Sequence, residues 1–425
     1  MKTYKNVAVW DASRSGAEFC DVQTEGGKFV KILPAGSIDA GCAYECREKM
    51  AMLPGFVNAH GHAPMTLLRG LGEELQLMDW LRKRVWPVEN RMQSKHMKLG
   101  TELAMVEMLA TGTTCYAEMY FDVEAIPQTA VNVGMRVALS RGLQKDTDRD
   151  RLGENIAIAK EWSGANELVT IQLGPHAVYT ISRKYIEKVV SAALKYNIGV
   201  QMHWLETAGE WSLCDCCSEM SPEEYLMETG LSAVKHLALA HGCWIEDDAA
   251  DFYAADNISI VHCPKSNMKL GSGTAPVPRL LESGVSVALG TDGAASNNRL
   301  DMWDEVRFAA LLHKDANLDP TLLRSGEVLK MATLNGARAL GFENVGLIRE
   351  GWAADMILVD LDQPHYVGWD CDSLTQYIVY AGSSSDIRAT IVAGEPLYQD
   401  GRFLTLDRDK IISDAAEARR ELTGK

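Results

Sequence analysis

Short apolar runs alternate along most of the chain with longer stretches in which apolar positions recur every three or four residues. Eight of the runs are nearly continuous in apolar residues, as expected for parallel strands that are covered on both faces. The stretches 94–109 and 185–194 show helical spacing. The alternation predicts an α/β protein with a (β/α)8 TIM barrel, a fold that builds its active site at the carboxyl ends of the strands. The predicted strands are 55–62, 113–119, 136–143, 169–176, 198–206, 237–244, 258–264 and 285–292.

Both ends of the chain differ from this alternation. Short strand signals occur before residue 53, with a hairpin signal at 25–28, and strand character returns at 354–361 and 387–397. We therefore predict a small β-sandwich domain formed by both termini, with a charged helix over 405–425. The predicted domains are 1–55 for the N-terminal part of the sandwich, 56–345 for the metal-dependent barrel, and 346–425 for the C-terminal part and terminal helix.

Composition and charge narrow the possible partners and location. The formal net charge of −16 opposes binding to nucleic acid or an anionic membrane, because phosphate groups attract basic surfaces. No apolar stretch approaches the roughly 20 residues that span a bilayer, and the start of the chain lacks the apolar core of a secretory signal. Most of the ten cysteines fall in apolar runs, where a reduced thiol behaves as a small hydrophobe. We therefore expect a cytoplasmic protein.

One tight cysteine cluster stands apart from those apolar runs. It consists of Cys214, Cys216 and Cys217. A zinc site built on cysteine usually needs two halves with Cys-x-x-Cys spacing, and the chain has no second half. We expect these three residues to have no ligand role.

Potential metal ligands stand at the ends of several predicted strands. His60 and His62 are two positions apart at the end of the first strand, so their side chains point to the same side. His203 ends the fifth strand and Asp292 ends the eighth. These four residues predict a site for one divalent metal ion, with Zn²⁺ as the default and Fe²⁺ or Mn²⁺ as ions that accept similar ligands.

Further residues at strand ends provide groups for proton transfer. Glu206 lies three residues beyond His203, where it can exchange protons between a water activated by the metal and the substrate. His241 ends the sixth strand and can polarise the attacked centre or stabilise the oxygen that develops charge. We predict metal-assisted hydrolysis with Glu206, His241 and Asp292 as catalytic residues. His176, at the end of the fourth strand, contacts either the substrate or another polar group of the site.

Longer motifs resemble the amidohydrolase superfamily, and within it the 5′-methylthioadenosine/S-adenosylhomocysteine deaminases. The resemblance spans nearly the whole chain. It implies a metal-dependent hydrolase that deaminates the adenine ring of a 5′-modified adenosine and releases ammonia. The motifs are LPGFVNAHGHAPMTLLRG at 53–70, HCPKSNMKL at 262–270, GTDGAASNN at 290–298 and GWAAD at 351–355.

The resemblance also implies roles for individual residues. It matches the four predicted ligands to the family's metal ligands, Glu206 to its proton shuttle, and His241 to the residue beside the hydrolytic water. The implied partner is a small-molecule nucleoside, and the resemblance favours a homo-oligomer. The residues implied to bind substrate are Glu89 at the ribose hydroxyls, His176 and Ser296 in the pocket, and Arg141 and Arg151 at the amino-acid tail of S-adenosylhomocysteine.

The chain departs from the family pattern at Trp204, at Val178 and in the Cys-Asp-Cys-Cys run at 214–217, which occupies a loop usually richer in charge. Three other functions stay open. Trp204 stands where smaller residues are common, and Val178 where a proline is often found, which leaves the preferred 5′ group open. A triazine-type chlorohydrolase would release chloride instead of ammonia. A deaminase of a free purine or pterin ring would have no use for Glu89 at a ribose. A catalytically dead barrel that serves as an assembly module is disfavoured by the intact ligand set.

Overall fold

Two eight-stranded sheets organise the fold. The computed structural model describes residues 1–39, 49–72, 74–75, 77–144, 149–214 and 220–424. Cys216 and Cys217 lie outside the described residues, so the expectation for the cysteine cluster stays a prediction. The strands are β1 (Lys2–Val9), β2 (Glu18–Glu25), β3 (Lys28–Pro34), β4 (Met50–Pro54), β5 (Phe56–Asn58), β6 (Thr113–Tyr120), β7 (Arg136–Leu143), β8 (Val169–Pro175), β9 (Gly199–Trp204), β10 (Leu237–His241), β11 (Ile258–His262), β12 (Ser286–Leu289), β13 (Met356–Asp360), β14 (Ile387–Val392), β15 (Glu395–Gln399) and β16 (Arg402–Phe403).

Helices connect the strands of the barrel and close the chain. Several are short, and a 3₁₀ helix at Ala63–Leu68 follows β5 after the segment 59–62, which contains His60 and His62. A π-helical turn at Leu81–Val85 joins the first two α-helices. The α-helices are α1 (Leu77–Trp80), α2 (Trp86–Glu89), α3 (Ser94–Ala110), α4 (Ile126–Val133), α5 (Arg151–Trp162), α6 (Arg183–Tyr196), α7 (Pro222–Glu228), α8 (Pro264–Leu270), α9 (Val277–Glu282), α10 (Ala294–Asn297), α11 (Met302–Ala316), α12 (Ser325–Lys330), α13 (Gly336–Ala339), α14 (Leu374–Gln376) and α15 (Arg408–Thr423).

Strands β5 to β12 form the predicted barrel. Neighbouring strands follow chain order and pair in parallel. The ring closes where Ala59 N donates to Leu289 O at 2.9 Å and Asp292 N donates to His60 O at 3.0 Å. All eight predicted barrel strands are confirmed as elements, but β5 ends at Asn58 instead of residue 62. The chain leaves the regular ladder there because its next residues turn into the mouth of the barrel.

Side-chain size differs between the two faces of the barrel strands. Along β11, Ile258 and Ile260 belong to the large apolar cluster between the barrel and its helices. Val261 instead belongs to a cluster of mainly small residues that includes Ala59 and Ala117. Successive strand residues point to opposite faces, so the bulky side chains pack under the helices and the small ones fill the interior. The barrel interior is therefore filled with side chains below the carboxyl ends of its strands.

The second sheet combines both ends of the chain, and this confirms the prediction of a β-domain built from both termini. Its strand order is β16-β15-β14-β13-β4-β1-β2-β3, with β1 parallel to β4. Its own buried core includes Tyr4, Phe29 and Met356. The chain passes from this sheet into the barrel at Gly55, where a Cβ would lie 2.2 Å from the Thr114 side chain. Glycine is therefore required at the junction, while the predicted domain limits stay predictions.

The predicted C-terminal helix is α15, which packs near the first turn after the barrel's first strand. The Asp407 side chain accepts from Lys410 N at 3.1 Å and caps the helix N-terminus. Arg419 Nη1 donates to Leu67 O at 3.0 Å. The last helix is thereby tied to the segment that follows the predicted His60–His62 pair.

The expectations for membrane-spanning segments and for the oxidation state of the cysteines can be compared with the described residues. None of the helices in the described part of the chain combines the length and apolar character that crossing a membrane requires. Cys214 is disulfide-bonded, whereas the reducing cytoplasm expected from the cysteines in apolar runs favours free thiols. Within the described segments, free thiols belong to Cys20, Cys115, Cys243, Cys263 and Cys371, and the first four of them are buried.

Candidate active site

Histidine and carboxylate side chains converge at the carboxyl ends of the barrel strands. Ligand atoms of His60, His62 and Asp292 lie within 4.8 Å of one another, and those of His60, His203 and His241 form an overlapping group with the same limit. His62 Nε2 is 3.2 Å from His203 Nε2 and 3.3 Å from Asp292 Oδ1. The structure therefore brings the four ligands predicted from sequence to one point at the barrel mouth.

The donor atoms at this point fit a divalent metal ion. His60 Nε2 is buried, lies 3.7 Å from Asp292 Oδ1, and has no hydrogen-bond partner among the described residues. The other ring nitrogens are occupied, since His62 Nδ1 lies 2.7 Å from Met119 O and His203 Nδ1 lies 2.8 Å from His176 O. A backbone carbonyl requires a donor, so Nδ1 carries a proton in both rings and Nε2 is the nitrogen left for a ligand role. Without an ion, burial alone would lower the pKa of His62, but the bond of its Nε2 to Asp292 raises that pKa to about 9. This Nε2 is then protonated, and a bound ion would take the place of that proton.

Asp292 is held as a carboxylate by its neighbours. Ser266 Oγ and Ser296 Oγ donate to its Oδ2 at 2.6 Å and 2.7 Å, and Gly293 N donates to Oδ1 at 2.7 Å. Burial alone would raise the pKa of Asp292, but the hydrogen bond and charge of His62 hold that pKa well below its ordinary value. An ionised carboxylate whose second oxygen is already bonded is suited to a fixed ligand position.

Three strand ends at the barrel mouth have a left-handed backbone. Leu205 follows β9 with φ 49°, His241 ends β10 with φ 78°, and Asp292 follows β12 with φ 59°. Such conformations cost about 1–3 kcal/mol each in residues other than glycine and occur preferentially at functional sites. Gly242 N donates to Trp204 O at 2.9 Å, which holds the β9 and β10 ends together. The backbone turns abruptly here, and the side chains point over the barrel instead of along it.

Glu206 and His241 face each other beside the ligand cluster. Glu206 Oε2 is 4.0 Å from His241 Nε2. Burial, reinforced by the negative charge of Asp292, raises the pKa of Glu206 to about 8. Asn267 Nδ2 lies 3.0 Å from His241 Nδ1, and an amide nitrogen there donates, so the proton of a neutral His241 is on Nε2. Glu206 can then both release and accept a proton near neutral pH.

A cavity extends outward from these groups, with walls that are largely aromatic and apolar. Glu89 lines this cavity and is buried. Its Oε1 accepts from Tyr120 Oη at 2.5 Å, and burial raises the pKa of Glu89. His176 and Ser296 also line the cavity, so three of the predicted substrate-binding residues border the same space. The apolar and aromatic lining includes Met65, Trp80, Leu81, Trp86, Met119, Phe121, Tyr179 and Leu270.

His176 contributes a neutral imidazole to the site. Its Nδ1 lies 3.0 Å from Thr180 Oγ1. Burial, followed by the charge of His62, lowers the pKa of His176 to about 3. Its backbone carbonyl also holds His203, so His176 both borders the cavity and orients a predicted ligand.

The two predicted arginines are placed differently. Arg141 is fully buried, donates to the Phe121 carbonyl and the Glu124 carboxylate, and lies 3.4 Å from Glu154. These neighbours enclose its guanidinium, so the structure does not place Arg141 in the cavity as the resemblance implies. Arg151 lines an adjoining pocket that shares Glu89 and Phe121 with the cavity; its guanidinium lies 5.4 Å over the Phe121 ring, and its Nε has no hydrogen-bond partner among the described residues. Of the two predicted arginines, Arg151 is therefore the one that borders an open pocket.

Sequence reasoning missed four polar residues that support the site. Ser266 and Asn267, which bond to Asp292 and His241, lie inside the motif at 262–270 and were open to assignment from it. Tyr179 lines the cavity beside His176, with ring centroids 6.1 Å apart. Glu210 accepts from the backbone after β9, and no pattern in the sequence signals that contact.

Comparisons with known proteins match the whole of this architecture. The model of the Amidohydrolase family matches residues 51–397. A 5-methylthioadenosine/S-adenosylhomocysteine deaminase of Pelotomaculum thermopropionicum is 40% identical over 401 residues, covering 93% of this chain and 92% of the relative. A 5′-deoxyadenosine deaminase of Methanosarcina mazei is 39% identical over 409 residues, covering 95% and 94%. The crystal structure of an adenosine deaminase from Xanthomonas campestris with bound zinc has a TM-score of 0.93 at 31% identity, covering 100% of this chain and 98% of that chain.

Proposed function

We propose a function from one premise: the chain belongs to the amidohydrolase family. The function is metal-dependent hydrolytic deamination of the adenine ring of a 5′-modified adenosine, with release of ammonia. The relatives named for this chemistry align along nearly their whole length, and the activity predicted from the sequence is the one in their names. The observation that carries the proposal is the approach of Glu206 and His241 beside the four ligand residues, within a cavity that reaches Glu89.

The metal would be held by His60, His62, His203 and Asp292. Zinc is the ion we propose because nitrogen and carboxylate ligands suit it, and Fe²⁺ or Mn²⁺ could occupy the same donors. The zinc bound to the Xanthomonas campestris deaminase supports this choice. When bound, such an ion lowers the pKa of a water and so supplies a nucleophile near neutral pH.

Glu206 would move the protons of the reaction. It donates a proton to the ring nitrogen next to the amino-bearing carbon, which makes that carbon more electrophilic, and it accepts the proton that the attacking water gives up. It then delivers this proton to the amino group, the carbon–nitrogen bond breaks with its electron pair leaving on ammonia, and the proton that remains on the oxygen returns to Glu206 as the 6-oxo group of the hypoxanthine nucleoside forms. His241, with its proton on Nε2, would stabilise the charge that develops on the oxygen.

The outer cavity would bind the ribose and its 5′ substituent. Glu89 would accept hydrogen bonds from the ribose hydroxyls, while His176 and Ser296 border the base. Arg151 would meet the carboxylate of an amino-acid tail, because a guanidinium matches a carboxylate in geometry and charge. A cytoplasmic location, a homo-oligomeric assembly, and the absence of nucleic-acid and membrane partners stay predictions.

A substrate panel tests the proposed reaction. Zinc-loaded protein is supplied separately with S-adenosylhomocysteine, 5′-methylthioadenosine, 5′-deoxyadenosine and adenosine, and ammonia release is followed against time. We expect turnover of at least one 5′-modified nucleoside with formation of its hypoxanthine product. A chlorotriazine and guanine serve as comparison substrates. Chloride release, or deamination of guanine alone, would support the alternatives, and no ammonia from any adenosine derivative would contradict the proposal.

Glu89→Gln is expected to weaken use of ribonucleosides. A hydrogen bond to a charged group contributes about 1.5–3 kcal/mol, so we expect kcat/KM to fall about 10–100-fold, in line with about 1.4 kcal/mol per factor of ten. The same change should have little effect on a 2′,3′-dideoxy analogue of the best substrate. Steady-state kinetics on both substrates measures the difference, with exposed Glu161→Gln on α5 as the matched control. An equal loss on both substrates would show that Glu89 does not bind the ribose.

A further inference from the structure

The turn that follows β9 has its backbone N–H groups directed at one buried carboxylate. Leu205 N donates to Glu210 Oε1 at 3.1 Å, and Glu206 N donates to Glu210 Oε2 at 2.7 Å. Glu210 is 1% exposed, and no lysine or arginine among the described residues forms an ion pair with it. Its two oxygens therefore accept hydrogen bonds from two consecutive backbone N–H groups. The second of these groups belongs to Glu206, the residue that would transfer protons.

This turn needs such a restraint because its backbone is unfavourable. Leu205 has φ 49°, a left-handed conformation that a leucine adopts only when its surroundings impose it. Trp244 N donates to Leu205 O at 3.1 Å from the other side, and Glu210 N donates to Thr207 O at 3.1 Å. The turn is thus closed on itself at Glu210 and attached to the next strand end through Trp244.

The direction of the Glu206 side chain depends on this turn. The Glu206 carboxyl lines the cavity and lies 4.0 Å from His241 Nε2, and its backbone nitrogen carries the shorter of the two bonds to Glu210. Glu210 itself is not among the residues that line the cavity in the described part of the chain. It therefore acts from outside the cavity: through the backbone that it holds, and through its negative charge, which opposes the lowering of the His241 pKa by burial.

We propose that Glu210 is a positioning residue: its carboxylate fixes the turn at Leu205 and Glu206 and so aims the Glu206 carboxyl at the substrate. The inference rests on the proposed function, since it assumes that Glu206 transfers protons. A misplacement of about 1 Å at a reacting group can cost about 10²-fold in rate. Loss of one of the two bonds should therefore lower kcat and leave binding nearly intact.

A double-mutant cycle separates positioning from a general structural role. Glu210→Gln keeps the shape but leaves one acceptor oxygen and places an amide NH₂ against the other N–H. We expect kcat to fall about 10–100-fold by this misplacement, with KM and bound metal unchanged. In a Glu206→Gln background, the same substitution should lower kcat less than about twofold, because residues that act as a unit are not additive. An equal loss in both backgrounds would overturn the proposal.

A matched control and a second variant complete the experiment. Glu224 also accepts a backbone N–H, from Ser221 N at 2.8 Å, in a turn outside the cavity, so Glu224→Gln should leave kcat unchanged. Glu210→Asp keeps both oxygens and should retain more activity than Glu210→Gln. If both Glu210 variants lose their fold or their metal, Glu210 is a folding residue and the proposal fails. A wild-type protein without deaminase activity would instead contradict the proposed function.

Discussion

Replacing Glu206 with glutamine is expected to lower kcat for deamination by about 10²–10⁴-fold, the range that general acid–base groups contribute. The amide has nearly the same size as the carboxyl and can still donate a hydrogen bond, but it cannot give up or accept a proton. Because the four predicted ligands are other residues, the metal content of the variant should equal that of the wild type. Steady-state kinetics and elemental analysis of the same preparation measure both quantities.

The control for this experiment is a carboxylate that is near the site in sequence but exposed to solvent. Glu246 lies five residues beyond His241 and is exposed, and Glu246→Gln should behave as the wild type. Full activity in Glu206→Gln would show that another group transfers the proton. Loss of metal in this variant would instead assign Glu206 to the metal site.

Removing the metal is expected to abolish activity and to lower the melting temperature. A ligand that binds only the folded state stabilises it by RT ln(1 + [L]/Kd), about 2.7 kcal/mol when the free ion is at 100 times its Kd. Dialysis against a chelator followed by addition of Zn²⁺, Fe²⁺ or Mn²⁺ should restore both activity and melting temperature. Calorimetry provides a readout that does not depend on turnover.

Histidine variants test whether the metal effect on activity and melting temperature comes from the predicted ligands. His203→Ala should lose the zinc-dependent rise in melting temperature together with the activity, because one of four ligands is missing. His365, which pairs with Asp386 at 2.9 Å outside the cavity, provides the control, and His365→Asn should retain both. Activity that survives complete chelation in protein free of metal would contradict the metal-dependent mechanism.

The barrel could be predicted because each of its strands is recognisable from a short segment of the sequence alone. β10 reads Leu-Ala-Leu-Ala-His, and an uninterrupted apolar run that ends in a polar residue indicates a strand buried on both faces with its end at a functional edge. The pair His60 and His62 was also predicted, from the two-residue spacing of a strand, although β5 ends at Asn58 and both histidines lie in the segment that follows it. The motifs then connected these ends to a reaction.

The position of Arg141 depends on contacts that no local sequence pattern records. Arg141 is enclosed by acidic residues from the segment after β6 and from α5, including Glu124 and Glu154. Whether a guanidinium faces a cavity or an internal ion pair is decided by residues distant in sequence. The role of Glu210 was hidden for a related reason, because it follows from the backbone angle of Leu205 and not from residue type.

The placement of β4 in the terminal sheet has a consequence for how the chain folds during synthesis. β4 lies between β1 and β13, so one edge of an N-terminal strand stays without its neighbour until the ribosome has completed the entire barrel. Pairing between such distant segments forms slowly, and an open strand edge favours association with other chains. A nascent chain in which β13 has not yet been synthesised therefore exposes the unpaired edge of β4. We expect chaperones to bind this protein chiefly through its first strands.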